Sequence, residues 1–373
     1  MKTINRKYLF LIVFLSYLML SSCENGNSFS MHSSYNNNQT RNGGTSSKLL
    51  FSCSHQIELF DITTNNLDKL TSDDTQLYKQ IDIFENEVYF VKTSPPIENS
   101  QEIGIEDIYK LSLLNRRMIN ITNDSNYDFN FSVSQKTGNL LYTSHQFDAD
   151  PPNLYRLVTK NITNNKEDII YDNPEQFYAY WSPDGTKIAI YQGYYNKRVY
   201  AKLFVYDVNT KQIKQYIEDE LLIYRGIAWS PDSTMIAIPT EENDIQILEL
   251  PSGIIIKSIG VENEPAYMEW SPDGRYIAFE TLYLSEENKQ LSNLWIYDFF
   301  SGDMKLLCED SDSEYQPTWS PDSETLAYFV DGEKGNKKLI LEDFKLDKTI
   351  TEKQTTCGNI QEAKWVDSSE VFE

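Results

Sequence analysis

The chain has 373 residues, 40% of them apolar and 13% aromatic, which is enough to bury a substantial core without help from metals or a dense disulfide framework. Its 33 Lys and Arg stand against 56 Asp and Glu, a net charge of −23. A surface of that sign repels polyanions, so nucleic acid and anionic headgroups are excluded as partners, while cations, basic proteins and neutral glycans remain.

The first 22 residues predict export. Lys2, Arg6 and Lys7 precede an almost wholly apolar run from Tyr8 to Leu20, and Leu20-Ser21-Ser22-Cys23 follows at once. The apolar run is shorter than the roughly 20 residues of a bilayer span, so it reads as a cleaved signal peptide over 1–22, with an uncleaved anchor as the alternative. The small residues before Cys23 resemble the lipobox of bacterial lipoproteins. That resemblance implies a Cys23 carrying a diacylglycerol and an acyl chain, and a lipid anchor in a membrane. Glu24 after the cysteine favours the outer membrane, on its periplasmic or surface side, in a diderm cell. Removing the leader, which has three basic and no acidic side chains, leaves a formal charge of −26. With Cys23 modified, Cys53, Cys308 and Cys357 remain. An odd number does not complete a disulfide framework, which puts the burden of stability on the apolar core. From residue 23 to 47 the chain is rich in Ser, Asn and Gly and shows no apolar period, the composition of a flexible tether.

From residue 48 to 373 an internal repeat sets the architecture. Trp181-Ser182-Pro183-Asp184-Gly185 recurs at Trp229 to Ser233 with Asp232, at Trp270 to Gly274 with Asp273, and at Trp319 to Ser323 with Asp322; a weaker copy begins at Trp365. The intervals between these tryptophans are 48, 41, 49 and 46 residues, the length of a four-stranded propeller blade. Phe131-Ser132 and Ile83 keep the phase upstream as degenerate copies. Proline supplies the fixed φ for the second position of a turn and aspartate bonds back to the turn's own backbone, so the motif reads as the hairpin between the first two strands of each blade. The large indole fills the space between blades. Recurrence in each copy makes Asp184, Asp232, Asp273 and Asp322 scaffold residues, as it does Asp61, Asp207 and Asp298 after the third strands. The segment starting at Leu49 lacks an innermost strand and the Trp365 copy lacks outer ones. Joining the two closes an all-β ring of seven four-stranded blades, with six or eight as the alternatives, and removes the open sheet edges.

These copies resemble the TolB-like propeller superfamily, to which the propellers of TolB and of prolyl-oligopeptidase-type enzymes belong. The resemblance covers residue 48 to the end. It does not carry peptidase activity, because no Gly-x-Ser-x-Gly nucleophile elbow occurs and no length remains for a hydrolase domain. Some relatives are oligogalacturonate lyases with a His-rich metal site, whereas this chain has only His32, His55 and His145. No metal, cofactor or catalytic residue is assigned on that basis, a cation bound in the channel being the one exception left open.

If the Trp-Ser-Pro-Asp hairpins mark one face, binding belongs on the opposite one, where loops between second and third strands and crossings between blades emerge. Its predicted loops are 93–106, 144–152, 192–200 and 281–292. Its predicted crossings include Glu218-Asp219-Glu220 and Glu309-Asp310-Ser311-Asp312. Tyr178, Tyr194, Tyr195 and Tyr315 are aromatic candidates for the same face, since tyrosine joins apolar area to a hydroxyl; their alternative role is strand core. With Glu218, Asp219, Glu220, Asp310 and Asp312 they form the candidate binding face. The expected function is an envelope lipoprotein that binds a protein or peptide without catalysis. The alternative is a carbohydrate-active propeller that binds or cleaves a glycan with carboxylates at its channel.

Overall fold

The computed structural model describes residues 48–366 apart from 54, 72–76, 94–104, 125, 147–153, 175, 194–199, 222–225, 241, 312–314 and 345–347. The signal peptide, Cys23, the tether, Tyr194, Tyr195 and Asp312 lie outside the described residues, as do the side chains of Asp219, Glu220 and Asp310.

Alternating and apolar runs become strands, 28 of them among the described residues, arranged as seven four-stranded antiparallel sheets. Blade 1 is built from both ends of the chain. Its innermost strand is Ile360–Val366 and its other three are Lys48–Cys53, Gln56–Asp61 and Asn66–Lys69. Blades 2 to 7 follow in order over 77–120, 127–173, 177–221, 228–260, 264–311 and 318–354. Trp365 faces Leu49 across the closing pair, and Lys48 faces Val366. The ring is therefore closed by seven blades, with the terminal strand pairing with the first.

The repeat explains each inner hairpin. In blade 4 the Ser182 hydroxyl donates to Asp184 Oδ1 (2.6 Å) and accepts the Lys187 N–H (2.9 Å), while Asp184 Oδ1 accepts the Thr186 N–H (2.9 Å). The same three bonds recur around Asp232, Asp273 and Asp322. The residue after the aspartate is left-handed, with φ of +68° at Gly185 and +61° at Ser233 and Ser323. Glycine adopts that region without cost. At Gly185 it also leaves room, since a Cβ there would meet the Ser134 hydroxyl at 2.8 Å. Serine brings something else: the hydroxyls of Ser233 and Ser323 accept the N–H of Asp184 and Asp273 in the preceding blades. After the third strands, Asp61, Asp207 and Asp298 accept backbone N–H groups two and three residues on.

Register locates the weak copies. Trp181 faces Ile188, Ile83 faces Val88, and in blade 3 the residue facing Leu140 is Val133. Ser134 then donates to the Asn139 carbonyl as Ser182 does to that of Lys187. The blade 3 copy thus starts at Val133, two residues later than the Phe131 phase, which the Trp-Ser-like pair Phe131-Ser132 suggests. The core lies between blades. One cluster joins Leu50 and Leu59 of blade 1 to Ile81 and Phe90 of blade 2, and another joins Leu203 of blade 4 to Trp229 and Ile238 of blade 5. The indoles add directed bonds across the seams, from Trp229 to the Tyr180 carbonyl (3.2 Å) and from Trp365 to that of Thr318 (3.0 Å).

A covalent clasp reinforces the closure. A disulfide joins Cys53, at the end of the first strand, to Cys357, just before the last, with Cα atoms 5.7 Å apart and a sequence separation of 304. A link between such distant positions restricts the unfolded chain strongly. Cys357→Ser, or reduction of the native protein, is expected to cost about 2–4 kcal/mol. Trp365→Ala, which empties a half-buried site on the same seam, is expected to cost about 3 kcal/mol. Urea unfolding monitored by circular dichroism measures both, and unchanged midpoints in both variants would show that the ring holds without this seam.

Candidate functional site

The seven innermost strands surround an axial channel and cannot pair across it. Their inward edges leave backbone N–H groups to be satisfied from elsewhere. Carboxylates from the neighbouring blade do this. Asp82 of blade 2 accepts the Val133 N–H of blade 3 through Oδ2 (2.7 Å) and its neighbour Ile83 N–H through Oδ1 (2.9 Å). Glu269 of blade 6 accepts the Trp319 N–H (3.1 Å) and the Thr318 hydroxyl (3.2 Å) of blade 7. Glu362 of blade 1 accepts the Ile81 N–H of blade 2 (2.8 Å) and pairs with Lys364 at 3.3 Å.

These groups feel one another across the ring. Burial opposes the charge on Lys364, but Glu362, Asp82 and Glu269 outweigh it and raise its pKa. Desolvation pushes Glu269 up to about 7, against the pull of Lys364 and of the Trp319 N–H. Asp82 is raised by the same desolvation, with Lys364 opposing. All four side chains are half-buried. Their desolvation reflects depth within the ring, where the remaining exposed surface faces the enclosed channel. Tyr180 of blade 4, raised by burial, also senses Glu362 and Lys364. Three carboxylates against one ammonium give the channel an anionic field.

None of these four was singled out from the sequence. The available signal is the residue just before each motif position equivalent to Trp181: Asp82, Glu269 and Lys364 are charged there, while Tyr180, Ala228 and Thr318 are not. A charge that breaks the repeat marks a position with a local task.

The candidate face is only partly assembled. Tyr178 is half-buried at the channel end of blade 4 and Glu218 is exposed. Glu218, Asp219 and Glu220 extend the outer strand Gln212–Leu221 instead of forming a crossing, and Asp310 likewise lies within the strand Met304–Ser311. Tyr315 is 1% exposed, so it packs inside; its N–H donates to Glu280 Oε1 (2.9 Å) and its ring meets that of Tyr328 edge-on. The expected loop 281–292 is mostly ladder, since the second and third strands of blade 6 continue paired to Leu284 and Gln290. Extended backbone of this kind is favoured by its apolar and β-branched residues over the loop that its length suggested.

Among the described residues two groups have ligand atoms close enough to share a metal: Cys53, Glu58 and Cys357, and Asp107, Asp124 and Asp128. In the first, the sulfurs are bonded to each other, and Glu58 Oε1 accepts the Gln56 amide and the Thr356 hydroxyl. His55 is exposed, and His145 is buried with its ring stacked on Tyr155 at 4.1 Å; neither belongs to a ligand group.

The comparisons agree with the architecture. The family model of eukaryotic translation initiation factor eIF2A matches residues 132–307, which spans blades 3 to 6 and less than half of the chain. A search of curated proteins by sequence finds no match. Among solved structures, the chain is similar to TolB from Acinetobacter baumannii, with a TM-score of 0.51 and 14% identity over 83% of this chain and 78% of that one. It is similar to an oligogalacturonate lyase in complex with manganese (TM-score 0.61, 12% identity, 79% and 85% covered). The oligogalacturonate lyase from Vibrio parahaemolyticus matches with a TM-score of 0.59 and 12% identity, over 81% and 88%. Likeness at this identity establishes the propeller fold.

Proposed function

We propose that this chain is an exported bacterial lipoprotein, held to the outer membrane through Cys23, whose propeller binds another envelope protein or a peptide and performs no catalysis. The observation that carries this reading is that the channel carboxylates are committed to the scaffold. Asp82 and Glu362 are engaged through both oxygens, and Glu269 caps two donors of the next blade. Side chains fixed in this way hold an anionic field along the axis that strengthens as pH rises through about 7, where Glu269 ionises, and that suits a basic segment of a partner and speeds its encounter. The acidic residues from Glu218 to Glu220 and from Glu309 to Asp312, together with the formal charge of −26 on the mature chain, extend that field outward.

A second reading rests on Glu269. A carboxyl raised to about 7 and facing a channel has the property required of a general acid in glycoside cleavage. On this reading a glycan enters the channel and Glu269 protonates the leaving oxygen.

Three measurements discriminate. Cys23→Ala is expected to release the protein from the membrane fraction and abolish labelling by a fatty-acid probe; continued labelling would remove the anchor. Replacing the six acids of 218–220 and 309–312 by Asn and Gln is expected to slow capture of a basic partner by roughly tenfold at low salt, with little change in dissociation. Surface plasmon resonance reads both rates, and an unchanged association rate would count against the acidic face. A glycan depolymerisation screen showing turnover that Glu269→Gln abolishes would put the second reading first. The same variant tests the titration. Folding raises the Glu269 pKa above its ordinary value of 4.5, so its contribution to stability is complete below about 4.5 and is lost as pH rises through about 7. The protein should therefore lose stability relative to Glu269→Gln across that window in thermal unfolding, and a constant difference between the two would contradict the shift.

A further inference from the structure

The crossing from blade 2 to blade 3 carries an acidic cluster with no use in the channel. Asp107 belongs to the third strand of blade 2, Glu106–Ser112; Asp124 lies in the crossing; and Asp128 opens the innermost strand of blade 3, Tyr127–Val133. Carboxylate oxygens of all three lie within 4.8 Å of one another.

Two of them are set in place by their neighbours. Asp107 accepts the Asn120 amide (2.9 Å) and the Thr122 hydroxyl (3.2 Å), and that hydroxyl in turn accepts the Ile108 N–H (3.1 Å). Asp124 accepts the Asn126 N–H (2.7 Å). Asp128 is different. It is 0% exposed, it stands opposite Ser144 on the second strand of its blade, and neither of its oxygens has a hydrogen-bond partner in the protein. Among the described residues no Lys, Arg or His forms an ion pair with any of the three acids.

A buried carboxylate with both oxygens unpaired is costly, and two further carboxylates at this range add repulsion. The nearby hydroxyls of Ser144 and Thr122 offset the first term only in part, and no cationic side chain among the described residues offsets the second. One hard cation would offset both. The donor set contains oxygen alone, which disfavours zinc and copper and suits calcium, magnesium or manganese. The three carboxylates come from a strand, a crossing and a second strand, and Asp124 remains exposed beside two buried partners. Calcium accepts such uneven, many-oxygen surroundings, whereas magnesium requires a near-ideal octahedron and keeps most of its water.

We propose that Asp107, Asp124 and Asp128 form a calcium site between blades 2 and 3. Bound there, the ion ties Asp124 of the crossing to both blades at the face opposite the inner hairpins. The site is separate from the channel and stands whether the propeller binds a protein or a glycan.

The test uses the full chain freed of divalent ions with a chelator. Calorimetric titration with calcium chloride is expected to show one site with a dissociation constant of about 0.1–1 mM, the range of extracellular calcium modules. Saturating calcium is expected to raise Tm by a few degrees, by about the mass-action shift for such an affinity. Asp128→Asn should abolish the heat and the Tm shift while leaving the calcium-free Tm equal to or above that of the unchanged protein, because the amide removes an uncompensated charge. Asp124→Asn should weaken binding by about tenfold or more. Asp322→Asn, in an inner hairpin, should lower Tm yet keep the full calcium response. No heat and no shift at about 10 mM calcium would overturn the proposal. So would an undiminished response in both Asp128→Asn and Asp124→Asn, or an equal response to magnesium at the same concentration.

Discussion

The pairing of Ile360–Val366 with Lys48–Cys53 is the constraint on which the remaining structure depends. Among the described residues, buried side chains gather at the interfaces between neighbouring sheets. Each interface therefore needs a blade on both sides. Opening the ring at one seam would bare two apolar sheet faces and leave strand edges unpaired, the situation that closed architectures avoid. The disulfide between Cys53 and Cys357 and the bond from the Trp365 indole to the Thr318 carbonyl act at that seam and its neighbour.

Closure also dictates the chemistry of the axis. Seven inner strands arranged in a circle cannot complete one another's hydrogen bonds, so the channel must be lined by groups that can. Asp82, Glu269 and Glu362 fill this need by reaching from one blade to the backbone of the next. Their charge is thus a by-product of a structural task, with Lys364 as the partial counterweight. A ligand drawn to the channel meets carboxylates that are already oriented, and none of them needs to be reorganised to attract it.

The ring was legible in the sequence because its signal repeats. One Trp-Ser-Pro-Asp hairpin is an ordinary turn; four at blade-length intervals, with a segment lacking an inner strand at one end and an inner strand lacking partners at the other, leave closure as the consistent solution. What stayed hidden depends on contacts that do not repeat. The phase of blade 3 differs by two residues because Phe131-Ser132 imitates the Trp-Ser start of the motif, while the left-handed residue Asn130 has counterparts in Gln80, Tyr267 and Gln316 of other blades. Glu218-Asp219-Glu220 looked like a crossing by its polarity, yet pairing with the strand before it keeps that backbone extended, as in the Ala201 to Glu220 register. Tyr315 looked like a surface aromatic, but its distant contact with Glu280 draws it inside. Counting cysteines suggested that disulfides would not carry the fold, and pairing two residues 304 apart required the ring itself.

The division between strong and weak copies has a further physical meaning. In the strong-copy blades the repeat leaves buried indole N–H groups without partners at Trp181, Trp270 and Trp319, a modest cost borne by large apolar rings that fill the seams. Blades 1 to 3 hold a Glu58 oxygen, both Asp128 oxygens, the Asn86 and Asn130 amides and the hydroxyls of Ser52, Tyr89, Ser132 and Thr143. Polar atoms of this sort destabilise a scaffold unless something outside the polypeptide satisfies them. The Asp128 oxygens sit among the weak copies, on a frame that the regular blades and the closing strand hold in place.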